Sequence, residues 1–199
     1  MTSTSIFYLS AFIIISIELV LMMYILMLQP KQRSNQLFAL YMFTLTVSSY
    51  NILVVSTTND VASIFSASRA HALTMLLSGP LLWLLLFNAF VPQHRLTRWL
   101  SGPLLLLLGV VLLVGVLDWL TGIGWVFRFG PAQYAGGYVP VNRVLNGRLG
   151  PIFYTLCISL FNALLILPIG WFALTPLLPE RLRRAAWVLL LFFLFVLLL

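Results

Sequence analysis

The sequence IFYLSAFIIISIELVLMMYILM, residues 6–27, decides how the rest of the chain is read. It carries one charged side chain, Glu18, in twenty-two residues. A bilayer core about 30 Å thick takes about 20 helical residues to cross, so this run has the length of a membrane span. It stops at Gln29, Pro30, Lys31, Gln32 and Arg33, a polar and basic turn. A cleavable signal peptide does not fit: residues 1–5 carry no basic side chain, the apolar run is too long, and no small-x-small site follows it.

The composition extends that reading to the whole chain. Of 199 residues, 62% are hydrophobic and 8% charged, with a mean hydropathy of +1.08. Soluble domains run to roughly 25% charged residues. So few charges cannot coat a soluble surface, and the expectation is an all-α, polytopic membrane helix bundle with the lipid bilayer as its solvent. Eleven Lys and Arg against four Asp and Glu give +7. The basic residues sit in short clusters between apolar runs, which points to topology and anionic lipid headgroups rather than nucleic acid. The single cysteine, Cys157, lies in an apolar run, where it reads as a small hydrophobe and says nothing of redox compartment.

Six spans are expected, at residues 6–27, 35–56, 67–90, 99–120, 151–172 and 185–199, in one transmembrane domain with a long loop at 121–150. Gly79 and Pro80 predict a kink in the third. Lys31, Arg33, Arg95, Arg98, Arg181, Arg183 and Arg184 fall in alternate loops, seven of the eleven positive charges. Such residues favour the cytoplasmic side, so the N-terminus and the long loop are expected outside. Residues 185–199 make only about 22 Å of helix at 1.5 Å each. That is short of the hydrocarbon, and the expectation is that the natural protein continues past Leu199. The long loop mixes Trp125, Phe127, Phe129, Tyr134 and Tyr138 with glycines and prolines, and Asn146 with Gly147 reads as a turn. It either lies on the membrane with its aromatic residues at headgroup level or forms a lid over the bundle.

Polar groups at membrane depth are functional candidates by default. Glu18, about twelve residues into the first span, is the sharpest. Asn162 lies at similar depth in the fifth span, and Ser48, Ser49 and Asn51 lie in the outer half of the second. Glu18, Asn51 and Asn162 form the hypothetical intramembrane ligand group, the alternative being a Glu18 that only binds helices together. Arg69 and Asp118, near outer helix ends, are expected to reach water or each other. His71 and His94 sit near opposite faces, so no metal site and no cofactor is expected; a pigment or haem on one histidine is the remaining alternative. The residues contain no phosphate-binding glycine loop, serine nucleophile arrangement or paired carboxylates, and no catalysis is expected of them.

Three stretches carry a resemblance: NQLFALYMFTLTVSSY at 35–50, RAHALTMLLSGPLLWLLLFNAF at 69–90, and RLGPIFYTLCISLFNALLIL at 148–167, followed by PERLRRAAW. Together they resemble the N-terminal seven-helix sensor region of bacterial sensor histidine kinases. The resemblance implies an outward N-terminus, a place in the bacterial inner membrane, and a final passage into a cytoplasmic output domain. Ser48, Ser49 and Tyr50 stand where that family would have a tryptophan, and the long loop lacks the family's Asn and His, so no binding residue is carried over.

The first functional expectation is therefore a sensor or input module, responding to an unknown small-molecule ligand or membrane state. The second is an accessory subunit of a respiratory or photosynthetic complex, packing on other membrane subunits, lipid, pigment or a second copy. A transporter is the third, but Pro80 and Pro168 do not fall at corresponding places in two repeats.

Overall fold

The structure is a computed structural model that describes residues 3–128, 141–161, 164–176 and 178–198. Every regular element among them is helical: α1 (Ser3–Leu28), α2 (Arg33–Thr57), α3 (Val61–Phe90), α4 (Arg95–Thr121), the one-turn α5 (Val141–Val144), α6 (Gly150–Phe153) running into a π-helical segment (Tyr154–Leu160), α7 (Ile166–Leu174) and α8 (Glu180–Leu198). The first four are long and apolar enough to cross a membrane.

Short polar turns force α1 to α4 to run antiparallel, each packed on the next. Asp60 starts α3 by capping it: its carboxylate accepts from the Ser63 hydroxyl at 2.5 Å and the Ser63 amide at 3.0 Å. Those bonds, the hydroxyl's first, hold Asp60 below the usual carboxylate range. Gly122, at φ +67°, ends α4 in the left-handed conformation that glycine adopts without strain.

The α3 helix is the hub. One side meets α2 through Val55, Ile64 and Ala67. Another meets α4 and the π-helical segment through Ala72, Leu73, Leu76, Val111 and Cys157. Its last turns pack on α7 and α8 through Phe87, Val91, Phe172 and Ala186. Phe90 stacks on Phe172 at 5.0 Å, and Trp83 donates its indole N–H to the Phe161 carbonyl at 3.0 Å. By contrast α1 turns most of its apolar surface outward: Phe12 is 65% and Val20 67% exposed. Such a face is stable against lipid or a partner helix, not against water.

Several sequence expectations change. The third helix begins at Val61 rather than 67, because the Asp60 cap sets its start. The stretch 151–172 is not one regular α-helix. It passes from α6 into seven π-helical residues and resumes as α7. Pro168, which has no N–H for the Leu164 carbonyl, forbids regular bonding at that junction. The last helix starts at Glu180 and runs nineteen residues, about 28 Å, so the basic turn counted as loop is its first turn. At Gly79 and Pro80, α3 remains one continuous helix.

The long loop is also different where it is described. Val126, Phe127, Val144 and Leu145 are 0–3% exposed and belong to the core between α3 and α4. Of the loop's named aromatic residues Phe127 is thus set into the end of the bundle as part of a plug, while Trp125 stays 41% exposed. Residues 129–140, with Phe129, Tyr134 and Tyr138, lie outside the described residues.

Candidate functional site

Polar side chains join the first three helices at one depth. Glu18, near the middle of α1, accepts a hydrogen bond from the Ser49 hydroxyl of α2 at 3.3 Å. Ser48, the next residue of α2, points to the other side, where its hydroxyl and His71 Nδ1 of α3 share a bond of 2.7 Å. Ser48 is 3% and His71 5% exposed. Successive helical residues project about 100° apart. Two adjacent serines can therefore serve two neighbouring helices, which one serine could not do.

Thr46 lies beside the same carboxylate, while its hydroxyl also donates to the Met42 carbonyl at 2.9 Å. The second carboxylate oxygen, Glu18 Oε2, is buried and has no hydrogen-bond partner among the described residues. Each end of this chain is a titratable group, an acid on α1 and an imidazole on α3. A proton or polar ligand arriving at either end changes how α1 or α3 is held to α2.

The sequence named Glu18, Asn51 and Asn162 as the ligand group. Glu18 takes its place at the head of the chain. Asn51 is buried but donates back to the Val47 carbonyl of its own helix at 2.7 Å, so that bond links no two helices. Asn162 lies outside the described residues. The member that sequence reasoning passed over is His71. Its signal was present: Ser48 lies eleven residues before Asn59 and His71 eleven after Asp60. Folding the helix pair about that turn brings the two level.

Asp118 is a second correction. It was expected to reach water or Arg69, yet it is 1% exposed. Among the described residues an ion pair joins Arg184 to Glu180. The Asp118 carboxylate accepts from three backbone N–H groups instead, Trp125 at 2.7 Å and Val126 and Phe127 at 2.8 Å each. Arg69 is half-buried, and its Nε has no partner among the described residues. The Asp118 bonds fold residues 122–128 back over the end of α4. The Gly147 amide then donates to the Val126 carbonyl and the Leu149 amide to the Trp125 carbonyl.

Among the described residues no group of three or more His, Cys, Asp or Glu side chains is placed to hold a metal ion. Compared with models of known protein families, with curated proteins and with solved structures, the chain matches none.

Proposed function

We propose that this chain is the transmembrane input module of a bacterial signalling protein of the histidine-kinase type. In this reading it threads the inner membrane six times, with its N-terminus outside. The observation that carries the reading is the polar chain from Glu18 through Ser49 and Ser48 to His71. Buried polar bonds between membrane helices contribute only about 0.6 kcal/mol on average, up to about 1.7. Helices held by such weak bonds change packing when one bond changes, which suits a switch better than a scaffold.

A bundle reporting on its environment moves α1 against α2 and α3. Spin labels at Leu9 and Asn59 in the full-length protein, reconstituted in bilayers, are expected to give a distance that differs between mildly acidic and mildly alkaline buffer. Glu18→Gln is expected to remove much of that difference while membrane insertion stays intact. An unchanged response in Glu18→Gln reduces Glu18 to a structural tie.

The outward apolar faces favour a second reading. Phe12, Val20 and Met27 of α1 and Leu106, Leu113 and Leu120 of α4 are all exposed, and such faces suit an accessory subunit packed against partner helices. Purification from native membranes separates the two. Stoichiometric partner subunits support the accessory reading, and an output domain encoded in the same reading frame after residue 199 supports the input module.

A further inference from the structure

At the basic end of the bundle a groove of about 230 Å³ opens between α3, α4 and α7, lined by Trp83, Phe87, Leu96, Leu100, Pro168 and Trp171. We propose that this groove holds one acyl chain of an anionic phospholipid whose phosphate lies against His94 and Arg95. Size selects a chain over a helix, since a helix with its side chains is about 10–12 Å across and the groove is smaller than the roughly 300–1,000 Å³ of drug-sized pockets.

Charge selects an anionic head. His94 stands where the groove meets the helix end, its ring 5.4 Å from that of Trp171. Its Nδ1 accepts from the Leu96 amide at 3.2 Å while capping α4, which leaves Nε2 as the proton-bearing nitrogen of the neutral ring. Arg95, exposed, stands in the first turn of α4 next to Leu96, whereas Arg98, two residues on from Leu96 and two before Leu100, projects about 200° away from both. The described acid at this end, Glu180, is paired with Arg184 at 2.5 Å. A phosphate therefore meets donors and uncancelled positive charge here, and a tail entering beside it lies on aromatic and aliphatic surface.

This inference needs the chain in a bilayer but not the sensor role. Native mass spectrometry of the full chain, with phosphatidylglycerol and phosphatidylcholine of identical tails as probes, tests it. One phosphatidylglycerol is expected to stay bound per chain, with phosphatidylcholine retained far less. Arg95→Gln is expected to weaken retention roughly 5-fold, and Arg98→Gln, on the far side of α4, much less. Leu96→Trp, at a position 39% exposed that tolerates the larger ring, is expected to remove it by filling the groove. Equal retention of the two lipids overturns the proposal. So does loss in the Arg95 variant with Leu96→Trp unaffected, because the lipid would then ride on the surface charge outside the groove.

Discussion

Asp118→Ala is expected to release the plug from the end of α4 and to lower unfolding stability by about 3 kcal/mol or more. Three backbone N–H groups converge on this carboxylate, and a buried donor left unmatched costs about 1–3 kcal/mol. The side chain is 1% exposed, so water does not replace it without opening the segment. The loss spreads further, because Val126 and Phe127 sit in the core cluster with Leu73, Leu76 and Val111. Asp118→Asn keeps one acceptor oxygen but turns an NH₂ group toward N–H donors, and is expected to fall between wild type and Asp118→Ala. Denaturant unfolding in detergent reads the stability, and limited proteolysis near residues 122–128 reads the release. Wild-type behaviour in both variants would show that the loop is held by its apolar residues alone.

Gly79→Ala is the second large effect, and its sign separates packing from propensity. A Cβ at Gly79 would stand 2.2 Å from the Cys157 carbonyl oxygen and 3.1 Å from Phe161 Cβ. The obstacle is backbone, which does not swing aside as a side chain does. Either α3 or the π-helical segment must shift, at a cost of about 1–3 kcal/mol. At Gly109 an added Cβ meets nothing within 4 Å. Alanine there is expected to be neutral or stabilising by up to about 1 kcal/mol, from helix propensity. Unfolding midpoints of the two variants provide the comparison. Equal effects at Gly79 and Gly109 would refute the close approach of α3 to Cys157.

The contrast between these glycines shows what the sequence could yield. Hydropathy alone located the first four helices, because in lipid a helix is the arrangement that satisfies every backbone group within one segment. It could not show that residues 154–160 leave α-helical bonding, or that the Cys157 carbonyl closely approaches Gly79, a contact between distant parts of the chain. Loop 121–150 misled for a related reason. Its mixture of aromatics, glycines and prolines looks like surface, yet Val126, Phe127, Val144 and Leu145 enter the core while Trp125 stays exposed. Asp118 gave a usable hint, an acid one turn before a helix-ending glycine, but its partners are amides and leave no mark in composition. Glu18 was legible because a lone carboxylate in an apolar run is costly. Ser48 and His71 become legible once the helix pair is folded about Asn59 and Asp60.

Single-cysteine labelling tests the central claim, that apolar helices carry this chain back and forth across a membrane with its basic turns on the inner side. In a Cys157→Ser background, Lys31→Cys, Asn59→Cys, Arg95→Cys and Ile123→Cys are each exposed to a membrane-impermeant maleimide on intact cells. Labelling is predicted at positions 59 and 123 in intact cells, and at 31 and 95 only after permeabilisation. Labelling of 31 and 59 from the same side, or of 31 and 95 from opposite sides, would contradict the threading and, with it, the depth assigned to Glu18, Ser48 and His71.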